Sequence, residues 1–128
     1  MNETVTYKDE EFEATIVVRS ATVFDGLNRD MMTSDAAEEL SKEKSPELTA
    51  AYRAMRIVKL TIWPMCMAAL VSCQITHTGE EFVVTPETFM ELPEPLITGW
   101  LDATAKLNPH WVPSLPVNEK KARKRSSG

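Results

Sequence analysis

Side chains that carry out catalysis are scarce in this sequence, which has only two histidines and two cysteines. His77 lies four residues after Cys73, but no further ligands at a metal-binding spacing accompany them, which argues against zinc. The four glycines never cluster, so no phosphate-cradling loop is present. The carboxylates of residues 9–13 have nothing nearby that would raise a pKa, and they are interpreted as a solvated charge run. We therefore expect no catalytic activity, no metal and no cofactor.

Cysteine is too rare for a disulfide scaffold, and both cysteines lie in one apolar run. If that run is helical, Cys66 and Cys73 stand about 10 Å apart along the axis, whereas a disulfide needs Cα atoms within about 7 Å. Two buried thiols and a reducing compartment are predicted. The uncharged run Leu60–Gly79 has the length of a membrane span, but polar residues interrupt it. With an acidic amino end in place of a signal peptide, a cytoplasmic protein without a membrane span is predicted.

Basic residues are few except in the last ten residues. The chain has 14 basic and 19 acidic side chains and a net charge of −5. Residues 119–128 hold five of the basic residues against Glu119 alone, which leaves the first 118 residues at −9. An acidic body repels phosphates, so nucleic acid is disfavoured as a partner outside this tail. The division predicted is a flexible acidic amino terminus (1–11), a single helical domain (12–113) and a flexible basic tail (114–128).

The amino-terminal half predicts a strand followed by helices. Residues 12–20 alternate, with Phe12, Ala14, Ile16 and Val18 on one side, as in a half-buried strand. Thr22 and Asp25 have the spacing of a helix capping box, and Gly26 inside the helix predicts a close packing contact. The helix is expected to turn one apolar side to the core and Arg29 and Asp30 outward, the apolar side being Val23, Phe24, Leu27 and Met31. Residues 33–44 are either the solvated end of this helix or a loop.

A second helix is predicted to start at Ser45–Pro46, with proline in its first turn. Its core stripe is Leu48, Tyr52, Met55, Val58 and Ile62. Pro64 should kink or break it, and residues 65–75, apolar on nearly all sides, predict a central buried helix. Residues 78–81, between the apolar segments 75–77 and 82–84, indicate either a small hairpin or a loop.

Two proline signals frame the last helices. Thr85–Pro86 combines a cap with a first-turn proline, and Asn108–Pro109 predicts a helix end. The helix between them has its apolar positions at helical spacing: Leu96, Ile97, Trp100, Leu101, Thr104 and Leu107. The fold class predicted is mainly α with a small β element (α+β), a compact helical bundle with an amino-terminal strand that pairs with residues 82–84.

Adaptable apolar side chains are the most informative feature that remains. Seven methionines occur, and flexible thioethers either fill gaps in a core or line a surface that accepts partner helices. Trp111 has two open interpretations, a lid on the core or an anchor for a partner.

Two stretches resemble the small tail assembly chaperones of long-tailed, non-contractile phages. Residues 14–29, ATIVVRSATVFDGLNR, resemble the opening of that family. Residues 89–111, FMELPEPLITGWLDATAKLNPHW, resemble its ending, in which a Leu-Pro pair, an amphipathic helix and an Asn-Pro-x-Trp motif follow one another. The resemblance spans about residues 12–113, with its weight at the two ends.

The resemblance implies a viral protein of the host cytoplasm that is absent from the mature virion. It implies binding to the long tape measure protein, which such chaperones keep soluble, and it allows the major tail (tube) protein and self-association as further contacts. The hypothesis for the binding surface is a groove flanked by Met65, Met67, Trp100 and Trp111 that takes a helix. A longer frameshifted product is a further expectation, since Lys120–Lys121 fits an A-rich slippery run.

Two other functions remain as alternatives. One is a small structural adaptor, or a tail or head completion protein, which would stay in the virion. The other is a nucleic-acid-binding regulator that uses the basic tail, and it predicts salt-sensitive DNA retention.

Overall fold

A four-stranded antiparallel sheet, in the order β1-β2-β3-β4, packs one face against the helices. A computed structural model describes residues 1–42 and 49–111 of the chain. The elements are β1 (Asn2–Lys8), β2 (Phe12–Arg19), α1 (Val23–Ser41), α2 (Ala50–Ile57), a π-helical turn (Val58–Ile62), α3 (Trp63–Ala68), β3 (Leu70–His77), β4 (Glu80–Glu81), α4 (Pro86–Phe89), α5 (Glu94–Leu107) and a 3-10 turn (Pro109–Trp111). The predicted α+β class is confirmed, with a larger sheet than expected.

Strand β2 is central, and its alternation is the one predicted. Phe12, Ala14, Ile16 and Val18 are buried, while Glu13 and Thr15 are exposed on the opposite face. The inward side chains meet α3 and α5, so the core lies on one side of the sheet and the other side is exposed.

The flexible amino terminus predicted for residues 1–11 is wrong over β1. Asn2–Lys8 pairs with β2 along its whole length, and Asp9 accepts the backbone N–H groups of Glu11 and Phe12 at 2.7 Å to close the turn. The segment is polar, but it alternates: Val5 and Tyr7 pack on the core while Thr4 and Thr6 are exposed. The polar and acidic composition of residues 1–11 led to the prediction of a flexible segment, although the alternation of residues 4–7 is that of a half-buried strand.

The partner of β2 on its other side is β3, not residues 82–84 as predicted. The two strands pair from Phe12 with His77 to Val18 with Leu70, with a bulge near Val18. The apolar run 65–75 was predicted as one helix, yet α3 ends at Ala68 and β3 follows. A short apolar run fits either a buried helix or a buried strand, and periodicity does not separate the two.

A hairpin follows His77, as one of the two predictions had it, but its turn is shorter than predicted: β4 is Glu80–Glu81, within the predicted connection, and not residues 82–84. Thr78 and Gly79 occupy the turn with φ of 51° and 84°, the left-handed values of a two-residue hairpin loop. Glu80–Glu81 pairs with Thr76–His77, and the Phe82 N–H donates to the Ile75 carbonyl at 2.9 Å.

Pro64 neither breaks nor ends its helix. The preceding turn widens to a π turn, in which the Trp63 N–H bonds to the Val58 carbonyl. A π turn shifts the hydrogen-bond register by one residue, which accommodates a residue that lacks an N–H. The predicted start at Ser45–Pro46 lies outside the described residues; α2 begins at Ala50, where Thr49 Oγ1 accepts the Tyr52 N–H at 3.1 Å.

The carboxy-terminal helices follow the predicted pattern. Thr85 caps α4 ahead of Pro86, and α5 buries Leu96, Trp100 and Thr104 before it ends at Leu107, one residue before Asn108. Within the described part of the chain, no helix is both long and apolar enough to cross a membrane. The uncharged run Leu60–Gly79 is divided among the π turn, α3 and β3.

Candidate binding surface

Helix α1 is fastened at its first turn by a buried carboxylate. The predicted capping box is confirmed: Thr22 Oγ1 accepts the Asp25 N–H at 3.2 Å, and Asp25 Oδ2 accepts the Thr22 N–H at 3.0 Å. The same carboxylate also takes two bonds from Arg19 at the end of β2, Nη2 to Oδ1 at 2.7 Å and Nε to Oδ2 at 3.0 Å. These hydrogen bonds, led by Arg19, lower the pKa of Asp25. The side chain of Asp25 therefore points into the protein.

The inward face of α1 continues from Asp25 through polar contacts. The Arg29 guanidinium lies 4.7 Å from the centre of the Trp111 ring, and Thr33 Oγ1 donates to the Leu60 carbonyl at 3.4 Å. Leu40 is buried near the end of the helix. These residues are spaced by four or seven positions, so they share one side of the helix.

The apolar side of α1 consequently faces outward, which reverses the prediction. Val23, Phe24, Leu27 and Met31 are 82%, 72%, 59% and 62% exposed. We call these four residues the α1 stripe. The predicted close contact at Gly26 is also wrong, since a Cβ there would have no neighbour within 4 Å.

The same outer face becomes acidic towards the end of the helix. Asp35 and Glu38 are exposed at positions that follow Met31 on this side. We call Asp35 and Glu38 the acidic end of α1. Glu38 has Lys42 at 3.9 Å, with both side chains 73% exposed, an arrangement that neutralises little charge.

Trp100, one of the predicted binding residues, is fully buried in the core. Its Nε1 donates to the Cys66 carbonyl at 3.2 Å, and its ring lies 5.7 Å from that of Phe89. It offers no surface to a partner in this structure.

The other three predicted binding residues lie at two separate places. Trp111 is 7% exposed and packs with Met65, Ala68 and Ala69, so it covers a small second core. Met65 and Trp111 also line a shallow depression of about 290 Å³. Met67 instead lines a groove of about 570 Å³ between β3 and residues 82–84. The structure therefore does not bring the four together as one groove.

The two thiols and the His77 imidazole pack against other side chains of the fold. Cys66 is buried, Cys73 is half-buried and both are free; burial raises the pKa of each thiol, which disfavours the nucleophilic thiolate. The His77 ring stacks on the Phe12 ring with their centroids 4.4 Å apart, and His77 Nε2 lies 3.4 Å from Glu11 Oε2. Across residues 1–42 and 49–111, no three His, Cys, Asp or Glu side chains are grouped to hold a metal ion.

The helical spacing of the sequence identifies the residues of the α1 stripe as one face, but the prediction that this face lies in the core is wrong. The signal that could have corrected it is the position of Arg19, which precedes the capping box and is a ready partner for Asp25. Because the Asp25 carboxylate bonds both to the Thr22 N–H and to Arg19, the side of the helix that carries it faces the protein.

No family model, curated protein or solved structure matches this chain.

Proposed function

We propose that this protein is an assembly chaperone of phage tails, which binds the tape measure protein and keeps it soluble during assembly. It acts by binding, without a cofactor, in the host cytoplasm, and it leaves before the virion is complete. The observation that carries the proposal is the outward-facing α1 stripe. Four large apolar side chains in contact with water on one helix face are unfavourable unless a partner covers them.

The spacing of the stripe suits a helical partner. Phe24, Leu27 and Met31 are three, four and seven residues apart, the spacing of anchors that meet a second helix. The exposed apolar patch is on the order of 500 Å², the size at which patches on monomers are often functional. A long helical chain such as the tape measure protein presents many segments of this kind, and a flexible methionine accommodates varied ones.

The two stretches that carry the family resemblance also pack together, which supports treating them as one unit. Asn108 Oδ1 accepts the Ala21 N–H at 2.7 Å, and Asn108 Nδ2 donates to the Arg19 carbonyl at 3.0 Å. Trp111 from the second stretch lies under Arg29 from the first. The Asn-Pro-x-Trp motif therefore holds the start of α1 against the end of α5.

Co-expression with the tape measure protein tests the proposal. The proposal predicts that a very long open reading frame next to this gene encodes the partner to be co-expressed, and the readout is the fraction of that partner that stays soluble. The double variant Phe24→Ser, Leu27→Ser should lower that fraction to the level seen without the chaperone. The matched control is Val83→Ser, Met90→Ser, which removes two exposed apolar residues outside α1 and should leave solubility unchanged.

If the tape measure protein were equally soluble with both double variants, the α1 stripe would be excluded as its binding surface. Mass spectrometry of purified virions separates the chaperone from a structural adaptor or completion protein, because only the latter would be retained. The codons of Lys120–Lys121 and the frame that overlaps them test for a frameshifted product.

A further inference from the structure

The outer face of α1 carries two kinds of surface in a fixed order. The α1 stripe comes first, and the acidic end, Asp35 and Glu38, follows it towards the carboxyl terminus of the helix. Both are exposed, and in the described part of the chain only Lys42 has an ion pair with the acidic end. A ligand that fits this face is therefore a segment with apolar residues followed by basic ones.

The sequence beyond Trp111 has this order. Its apolar residues are Val112, Leu115 and Val117, and its basic residues are Lys120, Lys121, Arg123, Lys124 and Arg125. Trp111 itself lies against α1, with its ring 4.7 Å from the Arg29 guanidinium. Residues 112–128 therefore start beside the helix whose outer face they complement.

The outer face is within reach of the later part of this segment. Val117 is six residues beyond Trp111 and reaches about 20 Å when extended, whereas Leu115 reaches only about 14 Å. The outer face lies half a turn around α1 from Arg29, a path of about 15–20 Å for a helix 10–12 Å wide. Glu38 is nine residues beyond Arg29, or about 14 Å along the axis. Lys120 is nine residues beyond Trp111 and reaches about 30 Å when extended, so its ammonium can approach the acidic end without moving Trp111.

We propose that the segment of residues 112–128 docks in cis on the outer face of α1, with Val117 at the α1 stripe and the basic part on the acidic end. The segment would cover part of the stripe and compete with any partner that binds there. The inference is independent of what that partner is. A tethered segment needs little affinity to do this, since a short linker holds it at an effective concentration near the millimolar range.

A second copy of the chain is the competing occupant. Two stripes facing each other would bury on the order of 1,000 Å², which is below the range of about 1,200–2,000 Å² for stable interfaces. The acidic ends would add repulsion wherever they approached each other. Size and charge both favour the basic segment of the same chain.

Paramagnetic relaxation enhancement on the full chain tests the inference without any partner. A spin label is attached to Ser127→Cys in a Cys73→Ser background, since Cys66 is fully buried and Cys73 is only half-buried. We expect the strongest broadening at amides of residues 23–38, compared with exposed amides of β1. The broadening should be lost in Asp35→Lys, Glu38→Lys and should weaken at about 0.5 M salt.

The matched control is Glu10→Lys, Glu91→Lys, which makes the same charge change at exposed positions outside α1 and should retain the broadening. A mixture of spin-labelled unenriched chain with unlabelled ¹⁵N chain isolates contacts between copies. Broadening that appears only in the mixture would assign the stripe to a second copy and overturn the proposal. Broadening spread evenly, or concentrated beside β3, would overturn it as well.

Discussion

At the scale of single residues, one buried carboxylate decides which way a helix faces. Asp25 is 1% exposed, and its two oxygens serve both Arg19 and the Thr22 N–H. A buried carboxylate needs such partners, since leaving it unpaired inside the protein is costly. Its bonds therefore hold this side of α1 against the protein.

Replacing Asp25 by alanine should lower the free energy of unfolding by about 1–3 kcal/mol at pH 7, because the cap and two charge-assisted bonds are lost. Folding lowers the pKa of Asp25, so its stabilisation is complete above the ordinary aspartate pKa of about 3.9 and is lost as the pH falls through the folded-state pKa. Urea denaturation at pH 7 and pH 3 should show the gap between wild type and variant narrowing at the lower pH.

Asp30→Ala is the control for this experiment. Asp30 is also paired with an arginine, Arg29 at 3.1 Å, but its side chain is 66% exposed. An exposed pair of this kind contributes about 0–1 kcal/mol. Equal losses for the two alanine variants would contradict the role given to the buried carboxylate.

At the scale of elements, helix starts and the hairpin turn follow from local chemistry. Thr22, Thr49 and Thr85 each accept a backbone N–H in the first turn of a helix. The capping pattern of Thr22 and the Thr85–Pro86 start are legible in the sequence. Such bonds form between residues three apart, so a linear pattern is sufficient to predict them.

Two glycines in different elements should respond in opposite directions to alanine. Gly26→Ala in α1 should raise the free energy of unfolding by about 0.5–1 kcal/mol, since the Cβ meets nothing within 4 Å and the unfolded chain loses freedom. Gly79→Ala should lower it by about 1 kcal/mol, because φ is 84°. Thermal and urea unfolding measure both, and a loss at Gly26 would reveal a packing contact that the geometry lacks.

At the scale of the whole molecule, α1 is the least integrated of the long helices. Only Asp25 and Leu40 of its 19 residues are buried, whereas α5 buries Leu96, Trp100, Ala103 and Thr104 among 14. An element that buries little opens at a lower free energy than the core does. A low free energy of opening would suit a helix whose surface is offered to a partner.

Native-state hydrogen exchange should resolve this difference. We expect amides of α1 to exchange through an opening with a lower free energy than amides of β2, which lies between β1 and β3. The measurement is exchange by NMR at increasing denaturant below the unfolding transition. If the α1 and β2 amides shared one free energy of opening, α1 would instead belong to the cooperative core.

The sequence predicted which residues of α1 share the apolar face, but not that this face lies at the surface. The stripe residues Phe24, Leu27 and Met31 were recognised as one helix face, and Trp111 as a core lid or an anchor. Which side of α1 is buried depends on groups far along the chain: Trp111 meets Arg29, and Asn108 bonds to the Ala21 N–H across 87 residues. Hydrophobic periodicity identifies the apolar face of a helix, but it does not determine whether that face packs against another element or faces solvent.

The sequence by itself determined the alternation of β2, the caps at Thr22 and Thr85, the span of α5 and the α+β class. These features depend on bonds within a few residues and on hydrophobic period. The tertiary structure alone decided that residues 2–8 form an edge strand, that β3 pairs with β2 and that α1 turns its apolar side outward. The physical reason is that these outcomes depend on partners in other elements, such as Arg19 of β2, which bonds to the buried carboxylate of Asp25 in α1.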